Sequence, residues 1–440
     1  MIIRFHVSNF LSFNDEIEFS MIPSKTQQHD GHIVTGEGRY GIDILKAAVI
    51  YGPNASGKSN LIKAMSFAKN LILEGTKARA AISRKPFKLD RSCSEKPTKF
   101  EFEFKQNSHN YVYGLELDSR RIYSEWLYEI KKTTEKMLFE RITTADETTK
   151  VEFGVLRKNS PKKEREFLEF VAKGTRPNQP FLTESIERDV KFFVDVYDWF
   201  LETLVIIFPE SIYVGLATGV KSSDLISKRL VYFLEQFGTG ICGFSLDEIP
   251  PKEDIPEEVL SKARAKISES SNVSLLGPNG HRYILALDEN KELKVFKLML
   301  KHKVVDCEDE VLMDTSEESD GTLRLMDLIP ILYNLGGKDR VFVIDELDRS
   351  LHPTLSYELI HLFLQSAESQ AQLIVTTHES GLLDLDLLRR DEIWFIEKDR
   401  FGASKIYSLE EFTPRYDSDI RKGYLLGRFG AIPMVGQVSF

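Results

Sequence analysis

Near the N-terminus the apolar residues Ile3, Phe5 and Val7 alternate with Arg4, His6 and Ser8, the period of a strand with one buried face. A second alternating run, EIEFSMI, follows Asn14 and Asp15, so the two together predict a β-hairpin. After a polar, Gly-containing stretch from Pro23 to Gly41 comes KAAVIYGPNASGKSNLIKAMSFAKNLI, an apolar strand running through a Gly-rich turn into an amphipathic helix. Residues 98–130 alternate again, interrupted at QNSHN and DSRR, and predict an antiparallel meander. From Pro161 to Phe244 the spacing becomes helical, as in FFVDVYDWFLETLVIIF, and Pro251 to Asn272 reads as a charged helix. Beyond residue 315 strands and helices alternate. TSEESDGTLRLMDLIPILYNLGG predicts a loop feeding a helix, and VFVIDE a short apolar strand ending in two carboxylates. PTLSYELIHLFLQSAES reads as a helix, and QLIVTTHES and EIWFIEKD as two more strands. Polar groups at the C-terminal ends of such strands are where a parallel α/β sheet places its ligands. The two separated halves are therefore expected to build one sheet.

The fold class expected is α/β with an antiparallel β lobe and a mainly helical insertion, divided at 1–150, 151–310 and 311–440. A chain of 440 residues with 42% hydrophobic and 11% aromatic content is neither disordered nor fibrous. The 68 acidic residues outweigh 58 basic ones, a net charge of −10, which excludes bulk coating of nucleic acid and leaves room only for a local basic groove. Cys93, Cys242 and Cys307 show no CxxC spacing, against a disulfide scaffold or a structural zinc site. With no charged leader and no long apolar run, the chain is expected to be cytoplasmic and to have no membrane partner. Sustained heptads are missing too, which speaks against a long coiled coil.

Gly52-Pro53-Asn54-Ala55-Ser56-Gly57-Lys58-Ser59 matches G-x-x-x-x-G-K-[ST] between a strand and a helix, the setting that motif requires. Backbone N–H groups of such a loop wrap a β-phosphate; Lys58 reaches the β- and γ-phosphates and Ser59 ligates Mg²⁺. Asn54, Ala55, Ser56 and Asn60 complete the expected cradle. Asp345 and Glu346, delivered by the strand VFVI, are expected to hold the Mg²⁺ and to polarise the attacking water, respectively. The expected cofactors are thus ATP and Mg²⁺.

Asp345 lies 287 residues after Lys58, so a large insertion separates the two halves of the site. In this the chain resembles an ABC-type, SMC-like P-loop ATPase head. The resemblance implies further roles. Ser319, Gly321 and Thr322, shortly before the acidic strand, correspond to the signature. Asp348 corresponds to the D-loop aspartate, and His378, after QLIVTT, to the switch histidine that contacts the γ-phosphate. A signature serine at a helix N-terminus makes an anion site that a second protomer's γ-phosphate would fill. One departure stands out: no glutamine occurs between residues 61 and 105, and SRKPFKLD at 83–90 occupies the usual place of the Q-loop glutamine.

With Asn9-Phe10, Pro86-Phe87, DELDRSLHP, TTHES and YLLGRFGAIP, the chain resembles the AAA/ABC-hybrid ATPases of bacterial anti-phage systems. That group includes the ATPase half of OLD-family nucleases and the AriA subunit of the PARIS system. The likeness covers residues 1–130 and 310–435. It implies an ATP-driven sensor-switch that forms homodimers or higher homo-oligomers head to head. Such a switch controls a separate, nuclease-like or toxic effector and answers a phage-derived trigger, nucleic acid being a compatible further partner. Only 62 residues follow His378, and Glu397, Asp399 and Glu410 read as edge and turn residues rather than a nuclease centre. Arg415, Arg421, Lys422 and Arg428 read as a solvated helix and tail. The alternative is an SMC-like ATPase in DNA repair or DNA clamping, for which long heptad arms would be expected. A transporter ATPase would place its acidic pair nearer the P-loop and need a permease.

Overall fold

The N-terminal hairpin forms as the alternation requires: strand Ile2–Ser8 pairs antiparallel with Ile17–Ser20, Phe5 facing Phe19 across the pair. In this computed structural model the described residues are 1–433 apart from 27, 37–40, 132–133, 145, 155–160, 214–223, 251–254, 256, 258, 261–266, 268–272, 278–279, 289, 306–308, 334–338, 367–369 and 416–418. Most of the charged helix expected from Pro251 to Asn272 lies outside them. They fall into two units: Met1–Pro209 with Lys338–Leu347 and Phe363–Phe440, and Glu210–Gly337 with Asp348–Leu362.

The first unit holds both sheets expected for the ends of the chain. Its antiparallel lobe runs, strand beside strand, Thr149–Phe153, Thr134–Thr143, Ile122–Lys131, His109–Leu117, Thr98–Gln106, Ile2–Ser8 and Ile17–Ser20. Phe100, Phe102 and Phe104 alternate onto its buried face, where Phe104 stacks on Trp199 with ring centroids 4.1 Å apart. A fully buried ion pair, Glu125 with Arg141, sits in this lobe at 3.1 Å. Such a pair needs further hydrogen bonds to its remaining polar atoms, and here all but Arg141 Nε have them. Here Glu125 accepts the N–H groups of Phe181 and Leu182, which open helix Phe181–Glu187, while Arg141 donates to the carbonyls of Arg176 and Pro177.

The second sheet of this unit joins the two halves of the sequence. Its strands lie in the order Leu204–Ile207, Val341–Ile344, Gln372–Thr376, Ala47–Tyr51, Ile393–Lys398 and Ser404–Ser408, all neighbours parallel except the last pair. The central strands are continuous apolar runs, as burial on both faces demands. Leu204–Ile207 corrects the sequence reading, which gave these residues to a helix. A four-residue apolar run is compatible with either period, and its β-branched residues Val205, Ile206 and Ile207 settle beside Phe342, Val343 and Ile344. Gln372, fully buried, ties the two sheets together: its Oε1 accepts the Ile2 N–H at 2.7 Å, and its Nε2 donates to the Ile2 and Leu45 carbonyls at 3.0 Å.

The second unit carries helices Asp224–Gln236 and Asp320–Tyr333 and a five-stranded antiparallel sheet. Ile241–Ile249, Leu293–Lys303, Arg282–Leu287 and Val273–Leu276 follow one another, with Glu310–Asp314 also paired to Leu293–Lys303. This sheet revises the mainly helical middle. Helices lie at 162–174, 181–187, 191–203 and 224–236, but in strand Leu293–Lys303 Leu293 and Val295 are buried on one face and Leu298 and Leu300 on the other, the switch falling at Phe296-Lys297. No helix among the described residues is long and apolar enough to cross a membrane.

Candidate nucleotide site

Strand Ala47–Tyr51 ends at the loop Gly52–Gly57, and helix Lys58–Glu74 starts directly after it. Two glycines are required where they stand. A Cβ on Gly52 would run into the Ile396 carbonyl, and one on Gly57, whose φ is 119°, would run into the Ser404 hydroxyl. The loop is braced from two distant places. Ser404 Oγ donates to the Ser56 carbonyl at 2.5 Å and bonds Ser12 Oγ at 2.8 Å, while Asn60 Nδ2 donates to the same Ser12 hydroxyl at 2.8 Å. The N-terminal hairpin turn therefore supports the loop directly. Lys58, buried, donates from Nζ to the Gly52 and Pro53 carbonyls at 2.6 and 3.2 Å. The Ser56 hydroxyl is buried without a hydrogen-bond partner.

The acidic strand delivers its pair to the same loop. Ser59 Oγ donates to Asp345 Oδ1 at 3.1 Å, and Thr376 Oγ1, from the neighbouring strand, donates to that oxygen at 2.7 Å. The same Thr376 hydroxyl accepts the Glu346 N–H at 2.8 Å. Glu346 has φ 50°, a left-handed backbone that a glutamate adopts at a cost and that recurs at functional positions. A cavity of about 460 Å³ is lined by Asn54, Ala55, Ser56, Gly57, Lys58, Ser59 and Asn60 together with Lys63, Glu346, His378 and Lys398. A second hollow of about 320 Å³ shares Asn60 and Lys398 and extends over Leu11, Ser12 and residues 85–89.

That second hollow contains much of the segment standing in the Q-loop position. Asn9 holds it: Oδ1 accepts the Phe87 N–H at 3.1 Å, and Nδ2 donates to the Cys93, Lys96 and Pro97 carbonyls. Asn9 and Phe87, distant in sequence, thus belong to one local structure.

The sequence-predicted residues therefore divide. Gly52, Asn54, Ala55, Ser56, Gly57, Lys58, Ser59, Asn60, Asp345, Glu346 and His378 belong to the first unit. Ser319, Gly321, Thr322 and Asp348 belong to the second. There the exposed Ser319 hydroxyl caps helix Asp320–Tyr333, accepting the Thr322 N–H at 3.1 Å, and a Cβ on Gly321 would come within 2.8 Å of the Ser350 carbonyl. The capping role expected of such a serine on local grounds is thus present. Sequence reasoning passed over Ser12, Thr376, Lys398 and Ser404. Lys398 ends strand Ile393–Lys398, beside the P-loop strand, and the rule that ligands gather at strand C-termini reaches it as readily as it reached His378.

A Gly-rich loop at a helix N-terminus, an ammonium beside it, a hydroxyl bonded to a carboxylate and a second carboxylate in the same cavity make a polyphosphate and divalent-cation site of the P-loop ATPase class. Family comparison agrees: the family described as "AAA domain, putative AbiEii toxin, Type IV TA system" matches residues 47–213 and 282–384, more than half of the chain, which therefore belongs to it. No curated protein matches. Among solved structures, an SMC head bound to the C-terminal winged-helix domain of ScpA is 14% identical with a TM-score of 0.40, covering 93% of this chain and 99% of that one. An SMC head domain from Thermotoga maritima, also 14% identical, has a TM-score of 0.35 over 92% and 98%. A Pyrococcus furiosus Smc head with an extended coiled coil, bound to the C-terminal domain of ScpA, is 14% identical at 0.36 over 94% and 97%.

Proposed function

We propose that the chain is the ATP-hydrolysing switch of an anti-phage defence system, closing head to head in pairs on ATP and thereby controlling a separate nuclease-like or toxic effector. The observation that carries the nucleotide part is the convergence of Lys58, Glu346 and His378 on one cavity beside the bonded pair Ser59 and Asp345. In this reading the Gly52–Gly57 loop and Lys58 bind the phosphates, and Glu346 takes the proton of the attacking water. His378 contacts the γ-phosphate, and the adjoining hollow over Leu11 and residues 85–89 has room for base and ribose. Ser59 and Asp345, two hard oxygen donors side by side, fit Mg²⁺ and would hold it; the ion neutralises phosphate charge. Ser319, Gly321, Thr322 and Asp348 act on the nucleotide of a second copy.

The defence role rests on the family description and on the DELD, TTHE and GRFGAIP segments. An ATPase can gate an effector only if its two nucleotide states bind that partner differently, by about 1.4 kcal/mol for each tenfold in affinity. The family description also favours a second reading, in which this chain is itself the toxic component and a separate antitoxin restrains it. Phage plating and growth of cells carrying the gene alone, or with its neighbours, separate them. Protection that requires a neighbour and is lost in Glu346→Gln supports the switch. Growth arrest by the chain alone supports the toxin. Protection by the chain alone, still full in Glu346→Gln, removes nucleotide switching altogether. For the paired arrangement, Ser319→Arg is expected to bind ATP normally without hydrolysing it. Mixed with Lys58→Ala it should recover partial turnover, because one complete site forms from two broken chains; no recovery at any ratio defeats the arrangement.

A further inference from the structure

The helix that opens at Ser319 is held by the five-stranded sheet at two points, and both contacts lie inside the second unit. Ahead of the helix, His302 Nε2 donates to Glu318 Oε1 at 2.6 Å; the side chains are 16% and 8% exposed. Two turns into the helix, Asp327 Oδ1 meets Arg282 at 2.9 Å and also accepts the Tyr213 N–H at 2.8 Å, both side chains of the ion pair being buried. A carboxylate as enclosed as Glu318 is costly without a donor, so its position is dictated by where His302 stands. His302 is in turn fixed by its strand, opposite Ile241 on one side and Val311 on the other. Glu318 is extended, with φ −81° and ψ 156°, and the next residue is the capping Ser319. A shift of the Glu318 carboxylate therefore carries the Ser319 hydroxyl and the first turn of the helix with it.

We propose that His302 is a positioning residue for the Ser319–Thr322 loop: through Glu318 it sets the geometry with which this loop meets the nucleotide of a second copy. The proposal rests on the trans-acting role given to Ser319 above. His302 touches neither nucleotide nor metal in it, and its effect belongs to turnover rather than to ATP capture, since the phosphate cradle lies in the other unit.

Steady-state ATPase kinetics and ATP binding on the full chain test this. His302→Leu is expected to leave ATP affinity within about twofold while kcat falls about tenfold or more, the scale of a lost hydrogen bond to a charged group. His302→Gln, whose amide still donates to Glu318, is expected to restore most of the turnover, whereas His302→Asn, too short to reach, stays low. Mixing His302→Leu with Lys58→Ala protein should raise turnover above that of either alone, because the Lys58→Ala chain brings an intact loop to an intact cradle. An unchanged kcat in His302→Leu, or Gln as inactive as Asn, overturns the proposal; the Gln and Asn pair decides alone if the Leu variant does not fold. Ser319→Arg run in parallel separates the two levels. Normal turnover in Ser319→Arg overturns the trans-acting reading and the proposal with it, while loss there beside full turnover in His302→Leu overturns only the role of His302.

Discussion

The two units present their chemistry in opposite ways. In the first, most polar groups of the cavity stand where a buried, apolar, parallel strand stops: the P-loop after Tyr51, Asp345 and Glu346 after Ile344, His378 just past Thr376, Lys398 at the end of its strand; Asn60 and Lys63 come from the helix that follows the P-loop. Packing on both faces fixes those strand ends, and short hydrogen bonds such as Thr376 to Asp345 only refine them. In the second unit the first turn of helix Asp320–Tyr333 is placed by polar contacts, the hydrogen bond of His302 with Glu318 and the ion pair of Arg282 with Asp327, reaching from an antiparallel sheet to a helix. Burial pushes the Asp327 carboxyl up despite Arg282 beside it, a sign of how enclosed that contact is. A strand end set by core packing moves only when the core moves. A helix start held by a few polar contacts can be altered one contact at a time.

The largest effects should come from the packed unit. Lys58→Ala is expected to abolish nucleotide binding, while Glu346→Gln keeps binding and slows hydrolysis about 100- to 10,000-fold, the range a general base supplies. Equal loss of binding in both, read by calorimetry with ATP, would break the assignment of separate roles. A smaller effect sharpens the point about strand ends. Thr376→Val preserves shape but removes the donor to Asp345 and the acceptor of the Glu346 N–H, and is expected to lower kcat about tenfold with ATP affinity little changed. Wild-type turnover in that variant means that packing alone aligns the pair.

What the sequence disclosed cuts across that division. Gly52 to Ser59 and Val341 to Glu346 were legible because motif and flanking strand are contiguous, and their local preference agrees with the final fold. The strand Leu204–Ile207 was not, since four apolar residues carry no decisive period and its pairing partner lies more than a hundred residues away. Thr376 stood in plain view beside Thr377 and His378, but nothing local marks which of two threonines reaches a carboxylate on the next strand. His302 and Glu318 were illegible for a similar reason: a lone histidine in a lysine-rich strand gives no sign of the helix it will hold. The sheet around it was missed where Phe296-Lys297 breaks the alternation.

The smallest effect probes the ionic side of the comparison. Asp314 ends strand Glu310–Asp314 just ahead of the loop. There it accepts the Ser316 N–H at 2.8 Å, meets His281 Nδ1 at 2.6 Å and pairs with Lys297. Partial burial raises its pKa, but the Lys297 ammonium, the Ser316 N–H and His281 outweigh that and hold the carboxyl down at about 2. A carboxylate near 3.9 in the unfolded chain and about 2 when folded stabilises the fold at neutral pH. That contribution is complete above about pH 5, fades as the unfolded chain takes up its proton near pH 4, and is gone below pH 2. Asp314→Asn leaves an acceptor for Ser316 but removes the charge, and is expected to cost about 1–2 kcal/mol at pH 7 after allowance for solvent screening. Denaturant unfolding of both proteins should show that gap at pH 7 and about half of it at pH 3. A gap that stays constant from pH 7 to pH 3 would mean that Asp314 does not act through its charge, and that the segment it precedes is placed by packing after all.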